Sequence, residues 1–408
     1  MPLRSVKDDC GGLTLVKAEV LTGNEAIAYG AKLSRIQLIS AYPITPQTTI
    51  VEKLASFIAN GELKAYYIHV ESEHSALAAA LAAALAGVRA FTASSSQGLA
   101  YMHEWVAYAP GLRVPLLMAI ANRSLAVPWN VFCDYSDTFA EMTTGWLQLY
   151  CENAQEALDT VIQGYRVAED ERVCLPVMVC IDGWTVSHTG EPVEVPDQEK
   201  VDAFLPPYRP RYSRLDPDQP MYLIWRGWED PKATAKFEFF EEEAAQAAKT
   251  VIKEVNQQYF KLFGRGYGNG LIEEVKVEDA KVALLTMGSM TGTARVAVKR
   301  ARSEGKPVGL IRLKAFRPFP SEDLKKLSER LDAIAVVDRG VLHGCGCGVV
   351  YSHLRSSLYD LDERPRIINF IAGLQGSEVS VEDFEAMIKK ALRTAEAGKP
   401  KELVEWVL

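Results

Sequence analysis

A chain of 408 residues exceeds the roughly 100–200 of one ordinary domain, so two or three domains with ample cores are expected. Apolar residues at 48% and charged residues at 24% exclude a largely disordered chain. A net charge of −8 leaves no basic footprint for a polyanion, which excludes nucleic acid as the expected partner.

The first twenty residues include Lys7, Asp8 and Asp9 and lack a signal-peptide core, and no later stretch approaches the ~20 apolar residues of a bilayer span. The expectation is a cytoplasmic protein with no membrane partner. Seven cysteines, at 10, 133, 151, 174, 180, 345 and 347, contain no repeated CxxC unit. That argues against a disulfide framework and a cysteine-ligated cluster, so any iron–sulfur centre is expected on another chain. Cys345 and Cys347 sit in HGCGCGVV, where small-residue loop packing is favoured over a metal or redox role.

From about Val20 short β-rich runs alternate with alanine-rich helical ones. In order they are LISAYPI, a helix from Thr48 to Asn60, AYYIHV, a helix through SALAAALAAALAG with Ser72 before it and Gly87 after it, and VRAFTA. VPLLMAIA, a polar loop at 129–145, the helix NAQEALDTVIQGYRVAEDE and the strand LPVMVCID follow. This rhythm predicts βαβ units on a parallel sheet, closing between Gly183 and Pro192. Residues 190–230 are proline-rich and read as a connector, and FEFFEEEAAQAAKTVIKEVNQQYFKLFG predicts a long linking helix. From Lys281 the rhythm restarts through VALLTMG, TARVAVKRARSEG, VGLIRLKAF, SEDLKKLSERL, AIAVVDRG, GVVYSHLRSSLYD, RIINFIAG and a last helix from Val381. The predicted architecture is α/β, two doubly wound units at 15–190 and 276–408 joined by a connector and helix at 191–275.

Ligands of open parallel sheets settle beyond the carboxyl ends of the strands. After the first strand, AYPITPQT (41–48) presents Thr45 and Thr48 on a proline-stiffened turn, or simply caps a helix. After the second, VESEH (70–74) sets Glu73 where a strand meets an alanine-lined helix, suited to proton chemistry near a partner subunit or to capping alone. After the third, FTASSSQG (91–98) could hydrogen-bond an anion or polar ring, or its own backbone. After the fourth, Arg123 suits a carboxylate, or a structural ion pair. No P-loop, GxSxG, HExxH or GxGxxG after the first strand is present, and DYSDT (134–138) has too few histidines nearby for a metal site. Loops each carrying one part of a site suggest a site shared between subunits.

On these loops, together with GNEAIAYGAKL (23–33), ANRSLAVPWN (121–130), TGWLQLY (144–150), ENAQEALD (152–159), LPVMVCIDGWTVSH (175–188), DRG (338–340) and NFIAGLQG (369–376), the chain resembles the α subunits of pyruvate and related 2-oxoacid:ferredoxin oxidoreductases across nearly its whole length. The resemblance implies a pyrimidine-type thiamine diphosphate-binding domain followed by a smaller transketolase-C-terminal-like domain. It implies that Glu73 contacts the cofactor's aminopyrimidine ring as an acid/base, with Tyr42, Pro43, Ser96 and Gln97 beside the cofactor. Thr45 and Arg123 are expected to bind the 2-oxo acid, joined by Asp134. Mg2+ and the diphosphate would be held by a β subunit, and 4Fe–4S clusters by β and a ferredoxin-like δ subunit. A γ subunit completes the implied assembly, CoA is the co-substrate, and ferredoxin or another acceptor takes the electrons.

One departure stands out, for Met142 occupies a position where pyruvate-type members commonly place an arginine. With Trp129, Phe132 and Trp184 it suggests a roomier acyl pocket suited to a branched-chain acid or phenylglyoxylate, with pyruvate kept narrowly first. A non-catalytic scaffold subunit and a transketolase-like transferase are the competing classes, the first opposed by the joint retention of Glu73, Thr45 and Arg123.

Overall fold

The computed structural model describes residues 5–7, 13–15, 18–125, 128–210, 215–218, 230–398 and 400–408. Cys10 and parts of the connector lie outside the described residues. Among the described residues no helix is long and apolar enough to cross a membrane.

The first sheet comprises β1 (Leu38–Ser40), β2 (Tyr66–Ile68), β3 (Ala90–Ser94), β4 (Leu117–Asn122), β5 (Leu147–Tyr150) and β6 (Val177–Asp182). These run parallel in the order β5-β6-β4-β3-β1-β2. Every residue of β3, β4 and β6 is buried, because helices cover both faces. Leu117, Ala119 and Ala121 enter one core with α1 (Gly23–Leu33), α2 (Thr48–Ala59) and a helix at Ala154–Ala168. Met118 and Ile120 point the other way, into a core with α3 (Glu73–Leu85) and the helix at His103–Gly111. Ser72 caps α3 by accepting the Ser75 N–H at 3.3 Å.

The linking helix begins at Pro231, earlier than the hydrophobic period suggested, because Asp230 caps it through the Ala233 N–H at 3.1 Å and proline suits a first turn. It runs to Phe263 and stops at Gly264, whose φ is 70°. Its last turns are held by Asp159, fully buried, which accepts from Tyr259 at 2.7 Å and Arg265 at 2.8 Å.

The second sheet comprises β7 (Ile272–Val275), β8 (Val282–Met287), β9 (Val308–Leu313), β11 (Ala333–Asp338), β12 (Arg366–Ala372) and β13 (Val404–Val407), in the order β7-β9-β8-β11-β12-β13 with β7 antiparallel. The run VGLIRLKAF does not form one strand. It breaks at buried Lys314, whose ammonium reaches Glu156 and Thr160 of the first unit, and β10 (Ala315–Arg317) then joins the first sheet antiparallel to β5. The two units therefore share a strand, and one apolar core runs from Ile120 and Tyr135 to Leu285 and Met287. Arg339 seals the junction with a 2.6 Å ion pair to Asp182, both buried.

Candidate active site

The carboxyl ends of β1, β3 and β4 converge. Gln47, fully buried, donates to the Tyr42 carbonyl at 2.8 Å, and Asn24 donates to the Pro46 carbonyl at 2.7 Å, which pins the YPITPQ turn. Gly183 lets that turn approach, since a Cβ there would lie 3.0 Å from Pro46 Cγ and 2.3 Å from the Asn122 carbonyl oxygen.

Arg123 directly follows β4 and is only 4% exposed. Its Nη1 donates to the Thr45 carbonyl at 2.6 Å and its Nη2 to Gln97 Oε1 at 2.7 Å, while Nε has no acceptor. The Trp129 ring centre lies 5.8 Å from the guanidinium carbon. Among the described residues no carboxylate forms an ion pair with this guanidinium, and burial draws its pKa down, against the pull of Asp137. With Asp137 acting only through space, a buried guanidinium bonded solely to neutral oxygens suits a directly bonded anion.

Glu73 opens α3 at 8% exposure, and its carboxylate accepts no hydrogen bond among the described residues. Gly98 lies directly against it, for a Cβ at that position would sit 2.7 Å from Glu73 Oε1 and 2.6 Å from Ser94 Oγ. Among the described residues the buried hydroxyls of Ser40 at the end of β1, Thr92 within β3, and Ser94 and Ser95 at the end of β3 have no hydrogen-bond partner. Buried polar groups are seldom left unpaired, so this concentration fits a polar ring with hydrogen-bonding nitrogens, the kind of group that thiamine presents. Among the described residues no group of three His, Cys, Asp or Glu side chains is placed to hold a metal ion.

The structure thus brings Thr45, Gln97 and Arg123 into direct contact and sets Glu73 at the start of α3, against Gly98. Ser96 has a φ of 46°, with its hydroxyl 2.6 Å from both the Ser124 carbonyl and Gln97 Oε1, so it braces the loop from within. Tyr42 and Pro43 are exposed on the turn. Asp134 belongs to another set, accepting from Ser136 at 3.0 Å and from the Gln375 backbone at 3.3 Å, which ties its loop to the second unit. Met142 does not join this set, so the expectation that it widens the acyl pocket is corrected for that residue. Its carbonyl accepts from Arg317 at 2.8 Å, and it lines a separate cavity of about 370 Å³ with Gly145, Glu241 and His353, bordered by neither Thr45 nor Arg123. Loop proximity in sequence had suggested otherwise, because the loop after β4 runs back toward the start of β5 before Met142 is reached. Sequence reasoning quoted Asp137 without a role, and its three hydrogen bonds to other segments, from Ser96, Asn122 and Arg123, are visible only in three dimensions.

Residues 29–257 match the family model described as pyruvate flavodoxin/ferredoxin oxidoreductase, thiamine diphosphate-binding, and 280–384 match pyruvate:ferredoxin oxidoreductase core domain II. The chain is 45% identical over 375 residues to pyruvate synthase subunit PorA of Methanocaldococcus jannaschii, covering 92% of this chain and 95% of that one. It is 42% identical over 388 residues to ketoisovalerate oxidoreductase subunit VorA of Pyrococcus horikoshii, covering 95% and 97%. A solved 2-oxoglutarate:ferredoxin oxidoreductase from Magnetococcus marinus shares the fold with a TM-score of 0.69 at 20% identity, over 92% of this chain, which spans 65% of that longer one. Fold and site together define an oxidoreductase subunit with a thiamine diphosphate-binding domain. The chain belongs to the family of α subunits of the 2-oxoacid:ferredoxin oxidoreductases.

Proposed function

We propose that this α subunit takes part in CoA-dependent oxidative decarboxylation of a 2-oxo acid, pyruvate first, giving acyl-CoA and CO2 while two electrons leave through iron–sulfur clusters on partner subunits to ferredoxin. The observation that carries the reading is Arg123, a buried guanidinium held by the Thr45 carbonyl and Gln97 and paired with no carboxylate among the described residues. Bound thiamine diphosphate supplies the nucleophile and electron sink that loss of CO2 from a 2-oxo acid requires. Glu73 moves a proton at a nitrogen of the aminopyrimidine ring, Arg123 orients the substrate carboxylate, and the Thr45 hydroxyl, unbonded among the described residues, meets the oxo or carboxylate oxygen. Tyr42, Pro43, Ser96 and Gln97 shape the cofactor side of the pocket, and Asp134 holds the loop that covers the substrate side.

A β subunit carrying the diphosphate and Mg2+ would dock beside Glu73. An exposed aromatic row supports that face, with Tyr101 at 59% and Tyr108 at 50% exposure flanking His74 and Trp105, whose rings are 5.6 Å apart. The γ and ferredoxin-like δ subunits complete the assembly. A second reading keeps the chemistry on a bulkier branched-chain or aryl 2-oxo acid, favoured by the exposed Trp129 and Phe132 near Arg123 and by the similarity to VorA. Viologen reduction by the purified complex with CoA, assayed on pyruvate, 2-oxoisovalerate, 2-oxoglutarate and phenylglyoxylate, separates these readings. Activity on none of them would overturn both.

A further inference from the structure

Asp137 is 1% exposed, and its two carboxylate oxygens are shared among three loops. Oδ2 accepts the backbone N–H groups of Ser96 at 3.1 Å and Arg123 at 3.0 Å. Oδ1 accepts from the Asn122 amide at 2.8 Å and the Thr138 N–H at 2.8 Å. Among the described residues no cation forms an ion pair with it; four N–H groups hydrogen-bond its charge, and the Arg123 guanidinium acts on it only through space.

This arrangement has a direct consequence for the anion cradle. Ser96 and Arg123 follow different strands, β3 and β4, yet both backbone N–H groups end on one oxygen atom. Gln97, next to Ser96, is the acceptor for Arg123 Nη2. Fixing the two N–H groups together therefore fixes the separation of Gln97 from the root of the Arg123 side chain. It also holds Ser96 at a φ of 46°, a conformation that a residue with a Cβ adopts only under constraint.

We propose that Asp137 is the positioning residue for substrate binding, setting the aim of the Arg123 guanidinium at the carboxylate of the 2-oxo acid by clamping the loops after β3 and β4 to one oxygen. The inference rests on the reading of Arg123 as the carboxylate-binding group. A carboxylate is required because it accepts on both oxygens. Asparagine has nearly the same shape but turns an NH2 donor toward one of the two donor pairs.

The test uses the assembled complex with D137N and R123Q in parallel. The readouts are kcat and KM for pyruvate and calorimetric binding of oxamate, an unreactive isostere of pyruvate. For D137N the expected result is a KM about tenfold or more above wild type with matching loss of oxamate affinity, and kcat at saturation within about threefold. Unchanged KM and oxamate affinity in D137N, with R123Q weakened, would overturn the inference alone. Unchanged oxamate binding in R123Q would instead remove the reading on which it rests.

Should D137N fail to assemble, wild-type oxamate affinity between pH 8 and about pH 5 gives the same answer. Burial pushes Asp137 up to about 6, against the backbone N–H of Arg123 and its other donors. The groups facing it are Arg123 after β4, Tyr150 of β5, Cys180 of β6 and Cys133 before its own helix. Arg123 stays a cation over this range, and burial holds the tyrosine and both cysteines protonated. Affinity falling as pH drops through about 6 is expected. Affinity flat to the acid end would overturn the proposal.

Discussion

Arg123 Nη1 donates to the carbonyl oxygen of Thr45 at 2.6 Å, and this bond joins the ends of β1 and β4 into one anion cradle. The Thr45 carbonyl orients the guanidinium, and the Thr45 hydroxyl makes no hydrogen bond among the described residues, as its proposed substrate contact requires. Replacing Arg123 with glutamine keeps hydrogen-bonding capacity but removes the charge. The expected loss is about 2–4 kcal/mol in kcat/KM, carried mainly by KM. Steady-state kinetics of the variant complex check it, and an unaltered KM would make Arg123 structural.

Gly98 is the next test, because its backbone packs against the Glu73 carboxylate with no room for a methyl group. Its φ is not left-handed, so alanine is acceptable to the local backbone and acts through contact alone. G98A should preserve assembly while displacing Glu73 and cutting kcat by about tenfold or more. Wild-type turnover in that variant would show that the carboxylate has freedom to move without consequence.

The Asp182–Arg339 ion pair lies between the two units, with Tyr135 and Ser289 also donating to Asp182. R339M leaves Asp182 buried without its cation. Breaking a buried pair from one side costs about 3–5 kcal/mol, so the denaturant midpoint of the complex should fall clearly. An unmoved midpoint would mean that the shared apolar core alone holds the units together.

Asp338 adds a pH dependence of opposite sense to that of an ion-paired acid. Burial pushes its pKa up to about 7, opposed by the N–H groups of Val350 and Tyr351 and the amide of Asn369. A folded-state pKa above the unfolded value means that the native protein binds more protons, so this group's contribution is full at low pH and is lost as pH rises through about 7. Thermal midpoints of wild type and D338N from pH 5 to 8 should show the slope between them, the variant losing the part that Asp338 supplies. Parallel curves would place the titration elsewhere.

The strands that carry the site were legible because they are apolar throughout. LMAIAN and VMVCID are buried on both faces, and Glu73 and Arg123 stand just past strand ends, where parallel sheets place ligands. β5 was hidden, since TGWLQLY follows a polar loop and one of its partners, β10, arrives from residues 315–317 after a break at Lys314, whose ammonium reaches Glu156. Met142 misled for a related reason. A position within a loop is known from sequence, but the direction in which the loop runs is not. Asp137 could be seen as a residue but not as a clamp, because its partners Ser96 and Arg123 lie 41 and 14 residues away.

The most direct measurement is CoA-dependent viologen reduction by the assembled complex carrying E73Q, with thiamine diphosphate content determined on the same preparation. Glutamine keeps the shape of the side chain and removes its ability to exchange a proton. The expected result is an assembled, cofactor-loaded complex whose turnover is lower by a factor of about 10²–10⁴. Turnover within about threefold of wild type, with the cofactor bound, would contradict the placement of a proton-transferring carboxylate at Glu73.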